Sequence, residues 1–264
     1  MAVQLIFLID TKMNYNRRFG FLKLTPKCVN AEFPKTFQLS QEQLDFFADN
    51  GYLVIKNLID FGSLNSYRKR FSEICDGSAP RGIVTIVKEP KLIKEAKTLE
   101  DCVNKDLYYF PFRPAEKIVT TWTAIDEVTI ENGCLYVLPG SHKGDLHRHG
   151  YPEKFDQLFH WIMDEDKVAP EHKRVDLVMG PGDTVFFQSG LVHGSRPNVS
   201  KVYRKIISCH YASGDCHYID LTGTIQQKIA DEIVAVFKKR GVDLTYEEMW
   251  RHKSKQVKPT KSNL

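Results

Sequence analysis

Gly180-Pro181-Gly182-Asp183-Thr184-Val185-Phe186-Phe187-Gln188-Ser189-Gly190-Leu191-Val192-His193-Gly194-Ser195 is the stretch whose reading decides the fold. It opens on a Gly/Pro/Asp turn. A five-residue β-rich run follows, Thr184 to Gln188, then a second small-residue break, and then a histidine set just before another Gly-Ser turn. Working outward, Val175 to Met179 and Tyr203 to Tyr211 read as strands of the same kind. Upstream, Ile118 to Ile125 and Cys134 to Leu138 are two more, separated by the turn Glu131-Asn132-Gly133 and ended by Pro139-Gly140. Many short strands joined by Pro/Gly turns, without alternating helix periods, predict a mainly β domain of jelly-roll or barrel type.

Helices flank this region. Ser40 with Gln43 forms a capping-box signature for a helix through Asp49, and Asn50-Gly51 ends it. Tyr52 to Ile59 is strand-like. Leu64 to Ile74 carries an apolar stripe at helical spacing, and so do residues 224 to 239 with Ile225, Ile229, Ile233 and Val236. Tyr246 to Trp250 is a further short helix. His142 to Arg174 is polar and reads as a long loop with some helix. Residues 1 to 36 are basic without a clear period and are taken as a leader or tail, which leaves residues 37 to 264 as one domain.

The chain has 264 residues, 42% apolar and 27% charged, enough for a sizeable core. A net charge of +4 without basic runs interleaved with aromatics argues against a nucleic-acid groove. No apolar stretch approaches a membrane span. The six cysteines show neither C-x-x-C pairing nor zinc-like spacing, so a reducing compartment is expected.

His193, the single carboxylate Asp106 and Arg204 carry the chemistry. Two histidines and one carboxylate on one octahedral face make a non-haem Fe(II) oxygenase site with positions left for an oxoacid and O2. His193 and Asp106 supply two of these three. The first histidine of such a site usually stands two residues before the acid, and here that position is Asn104. An oxoacid with a far carboxylate needs a cation that stays charged when desolvated. Arg204, eleven residues after His193, suits that need, with Ser195 as an added hydroxyl donor and Trp122 as a wall. Each residue also has a plainer reading: a satisfied structural His, a strand-edge Arg, a turn Asp and a core Trp.

Taken together, Gly51 to Leu58, Asp106 to Pro114, Asn132 to Gly144, Lys173 to Gly194 and Arg204 to Asp220 resemble the phytanoyl-CoA dioxygenase (phytanoyl-CoA 2-hydroxylase) family of Fe(II)/2-oxoglutarate oxygenases. The resemblance implies a cupin-like double-stranded β-helix. It implies Fe(II), 2-oxoglutarate and O2, with ascorbate as an accessory. Its substrate would be a branched fatty acyl-CoA, hydroxylated at C2 in fatty-acid α-oxidation. Asp106 and His193 then look like iron ligands; Arg204, Ser195 and Trp122 look like contacts of 2-oxoglutarate.

The departure lies just before Asp106. Family members have several tens more residues there, ending in the missing histidine, so the chain resembles an internally deleted form with an incomplete β-helix. Lys105 resembles a family lysine that contacts the oxoacid. A chain lacking the first ligand is expected to bind iron poorly and to turn over little. The rival reading is a catalytically dead jelly-roll protein that still binds acyl-CoA or 2-oxoglutarate. Ser262-Asn263-Leu264 is a weak relative of the S-K-L signal, and Lys23 to Ala31 nearly fits the other peroxisomal pattern. The peroxisome is therefore the expected compartment, with mitochondrion and cytosol as alternatives.

Overall fold

The computed structural model describes residues 2–6, 38–80, 103, 105–150, 160–239 and 241–257. The β-branched run at 83–87, the lysine-rich piece after it, Asn104, and both targeting patterns lie outside the described residues. Thirteen strands occur in chain order among the described residues: β1 (Ala2–Ile6), β2 (Tyr52–Ile55), β3 (Phe112–Arg113), β4 (Ile118–Ala124), β5 (Leu135–Val137), β6 (His149–Gly150), β7 (Trp161–Ile162), β8 (Val175–Leu177), β9 (Thr184–Gln188), β10 (His193–Ser195), β11 (Ile206–Ala212), β12 (His217–Tyr218) and β13 (Lys255–Gln256). The helices are α1 (Gln41–Asn50), α2 (Phe61–Asp76), α3 (Glu165–Val168), α4 (Gln227–Lys239) and α5 (Tyr246–Lys253).

Six strands form one antiparallel sheet in the order β13-β1-β11-β4-β9-β2, and three form a second in the order β10-β5-β8. Strand β11 shows the period-two burial expected of one covered face. In β11, Ile206, Ser208, His210 and Ala212 are buried and the residues between them are partly exposed. One apolar cluster joins the two sheets: Trp122, Ala124, Val185, Phe187 and Ile206 from the larger, Leu135, Val137 and Leu177 from the smaller. Removing these side chains from water is the main stabilising term of such a packed layer.

The capping box at Ser40 forms as the sequence predicts, and Gly51 closes α1 at φ 78°. A side chain at Gly51 would also run into the His142 ring, with a Cβ 2.3 Å from its Nδ1. Strand β9 has the bounds read from the sequence. Helix α4 starts at Gln227, three residues later than its apolar stripe suggests, and Ile225 stays 47% exposed before it. Residues 2–6 have no clear period, yet their backbone pairs with β11 from Ala2↔Ala212 to Ile6↔Ser208. This pairing occupies an edge of β11 that faces away from β4, which is how a sheet avoids presenting an open ladder.

Candidate metal and oxoacid site

Asp106 begins a single 3-10 turn, Asp106–Tyr109, that sits against the inner face of the large sheet. That turn is held from two sides. The Leu107 N–H donates to the Ser189 carbonyl at 2.8 Å. Gln226, only 2% exposed, places its amide nitrogen 3.0 Å from the carbonyls of Leu107, Tyr108 and Phe110. A short turn has few bonds of its own, so this external clamp fixes where the carboxylate points.

Three adjacent strands put one row of inward side chains beneath the carboxylate. Thr120 on β4 pairs with His210 on β11 and with Phe187 on β9. Thr120 Oγ1 donates to Asp106 Oδ2 at 2.7 Å, and His210 Nε2 lies 3.2 Å from the same oxygen. His193, on β10 of the opposing sheet, brings Nε2 to 3.6 Å from the other oxygen, Oδ1. Its ring leans on Phe187 with centroids 4.8 Å apart. Burial by itself would raise the Asp106 pKa. The charges available on His193 and His210, with the His210 and Thr120 hydrogen bonds, outweigh that and hold it well below the usual carboxylate range.

Tautomers follow from the partners. His193 Nδ1 lies 3.0 Å from the Leu191 carbonyl, which can only accept, so Nδ1 carries the hydrogen. A neutral His193 then turns a bare Nε2 lone pair toward the bare Oδ1. Two acceptors facing each other at that distance repel unless a proton or a cation sits between them. Cis ligands of one octahedral metal at about 2.1 Å stand about 3.0 Å apart, so a small closure would let both bind one ion. The donor chemistry therefore fits a cation at two positions. Among the described residues no group of three His, Cys, Asp or Glu side chains is arranged to hold a metal ion.

The residues expected from the sequence to contact the oxoacid lie on β4, on β10 and just before β11. Trp122 lies two residues along β4 from Thr120 and is buried. The Arg204 guanidinium sits 5.5 Å from the Trp122 ring centroid and donates to the Gly133 carbonyl. Ser195 follows His193 on β10 at the same strand parity, opposite Leu135. Gly194 between them leaves room for Tyr136, because a Cβ there would fall 2.3 Å from the tyrosine hydroxyl. Lys105 is engaged elsewhere. Its ammonium reaches the carbonyls of Ser141, Gly144 and Asp145 at 3.1, 3.3 and 2.7 Å, using all three of its hydrogens. Burial pushes its pKa down to about 8, against the pull of Asp145.

Thr120 and His210 lie inside the runs Ile118 to Ile125 and Tyr203 to Tyr211, which read from the sequence as plain strands. One signal was available: His210 is six residues after Arg204, an even offset that places both on one side of an extended chain.

The family model of the phytanoyl-CoA dioxygenases (PhyH) matches residues 84–206. Among curated proteins, the peroxisomal phytanoyl-CoA dioxygenase of Bos taurus is 36% identical over 288 positions, covering 86% of this chain and 85% of its own length. The Homo sapiens protein of the same name is 35% identical over 291 positions with the same coverage. A probable phytanoyl-CoA dioxygenase of Caenorhabditis elegans is 35% identical, with 86% of this chain and 95% of its own length covered. The aligned spans are longer than the whole 264-residue chain, so these relatives carry residues that this chain lacks. Solved structures share the jelly-roll fold at low identity. EctD from S. alaskensis with bound Fe has a TM-score of 0.51 at 17% identity, covering 73% of this chain and 83% of its own. EvdO2 from Micromonospora carbonacea var. aurantiaca, complexed with 2-oxoglutarate, has 0.53 at 16%, covering 69% and 94%.

Proposed function

Because this chain belongs to the phytanoyl-CoA dioxygenase family, whose members are 2-oxoglutarate-dependent dioxygenases, we propose that its site serves hydroxylation at C2 of a branched fatty acyl-CoA, in peroxisomal α-oxidation. The balanced reaction takes substrate C–H, O2 and 2-oxoglutarate to the alcohol, succinate and CO2. Iron(II), when bound, supplies the redox chemistry of that conversion, and ascorbate would keep it reduced. The protein's own part is placement. Asp106 Oδ1, from the 3-10 turn against the large sheet, and His193 Nε2, from β10 of the smaller sheet, would hold the metal. Arg204 takes the far carboxylate of 2-oxoglutarate, with Ser195 adding a hydroxyl donor and Trp122 forming the wall. Ser195 stands two residues from His193, about 6.7 Å of strand, comparable to the end-to-end reach of a five-carbon diacid.

The observation that carries this reading is the 3.6 Å approach of His193 Nε2 to Asp106 Oδ1, an arrangement that a cation between the two satisfies. A second imidazole is not supplied from Asn104, so metal binding and turnover are weak in the chain as it stands. Asn104→His recreates the H-x-D pair in the sequence. It should raise Co(II) or Fe(II) affinity by about 10- to 100-fold, by analogy with the loss of a supporting ligand contact, and bring measurable succinate release. A wild-type protein that already binds Fe(II) and releases succinate as fast as the substituted one would overturn the view that the site is impaired. One with no measurable metal affinity in either form would overturn the metal site itself. A second reading, a non-catalytic binder of 2-oxoglutarate or acyl-CoA, is favoured by the two-donor arrangement; calorimetric 2-oxoglutarate binding without succinate release in the Asn104→His protein would select it.

A further inference from the structure

Asp106 does not present its two oxygens alike. Oδ2 receives Thr120 Oγ1 at 2.7 Å and His210 Nε2 at 3.2 Å. Among the described residues, Oδ1 meets His193 Nε2 alone. We propose that His210 and Thr120 are positioning residues that saturate Oδ2, so that Asp106 offers Oδ1 alone, as a single fixed donor, to a divalent cation shared with His193. This rests on the metal reading above and says how the carboxylate is aimed.

His210 is suited to aiming rather than ligation. A carboxylate oxygen only accepts, so the Nε2 facing it carries the hydrogen and has no lone pair for a metal. It also lies on the oxygen turned away from His193. The nitrogen left bare, Nδ1, is buried with no hydrogen-bond partner among the described residues. An unsatisfied buried polar atom destabilises a fold, so this ring is a poor choice for stability alone. Its packing fixes its plane: the Phe110 ring meets it edge to face at 5.1 Å. The two donors come from directly paired positions of β4 and β11, so the sheet itself sets their spacing. Fixed outer contacts of this kind tune a metal site by orienting its ligands.

The test uses the full chain and Co(II) ion as the probe. His210→Leu and Thr120→Val should each raise the Co(II) dissociation constant by about tenfold. His210→Gln, whose amide nitrogen reaches where Nε2 stood, and Thr120→Ser should restore it. The melting temperature of metal-free His210→Leu should stay level or rise, because the orphaned nitrogen is gone; a purely structural role would lower it instead. In the proton NMR spectrum of the Co(II)-loaded wild type, one exchangeable ring N–H with the large contact shift of a metal-bonded imidazole is expected, that of His193. Two such signals would make His210 a ligand and overturn the proposal. Wild-type affinity retained in His210→Leu and Thr120→Val would overturn it too, leaving the metal site standing. Absence of any Co(II) binding by the wild type would remove both the metal reading and this one.

Discussion

Replacing Lys105 with methionine separates two roles for that residue. Its ammonium ties together the carbonyls of Ser141, Gly144 and Asp145, and Ser141 Oγ in turn accepts the Val192 N–H at 2.8 Å, next to His193. Three charge-assisted bonds at about 1.5 to 3 kcal/mol each would contribute about 5 to 9 kcal/mol. Burial of the charge, visible in the pKa lowered to about 8, offsets about 3 kcal/mol of that. Methionine keeps the stem but leaves three carbonyls unsatisfied, so a net loss of about 2 to 6 kcal/mol is expected. Urea unfolding of the metal-free protein at pH 7 measures it through the midpoint at constant slope. 2-Oxoglutarate affinity of the Co(II)-loaded protein should change far less than the stability. A stability change below about 1 kcal/mol, together with lost oxoacid affinity, would show that Lys105 contacts the cosubstrate and refute its role as a strut.

Arg204→Met should weaken 2-oxoglutarate binding to the Co(II)-loaded protein by about 30- to 100-fold, with Co(II) affinity unchanged, because a desolvated carboxylate loses its cation; equal affinity by calorimetry would remove Arg204 from the site. Acid should destabilise the fold through His149, whose pKa burial lowers from 6.5 to about 4, opposed by its bond to the His147 carbonyl. A depressed folded pKa means the unfolded chain binds the proton first, so stability is complete above about pH 6.5 and falls by about 3 kcal/mol as pH drops toward 4. His149→Gln, which keeps an acceptor for the Lys105 N–H, should flatten that part of a urea-midpoint profile; an unchanged profile would exclude His149 as its source.

The strand bounds of β9, the capping box at Ser40 and the turn at Glu131 to Gly133 were legible in the sequence, because each rests on local patterning, and motif spacing singled out Asp106, His193, Arg204, Ser195 and Trp122 as candidates. The same spacing exposed Asn104 in the place of a ligand. Three features were decided only by tertiary structure. His210 and Thr120 converge on Asp106 because β11 and β4 pair in one particular register, and a one-residue slip would turn both side chains to the other face. Lys105 turned from an oxoacid candidate into a strut because the Ser141 to Asp145 loop folds over it, a contact some forty residues away along the chain. The backbone of residues 2–6 entered the sheet at the edge of β11 although its own sequence has no clear period. Local sequence sets which residues can extend or turn; which oxygen of a carboxylate faces which imidazole depends on how distant strands are registered, and that is a property of the folded chain alone.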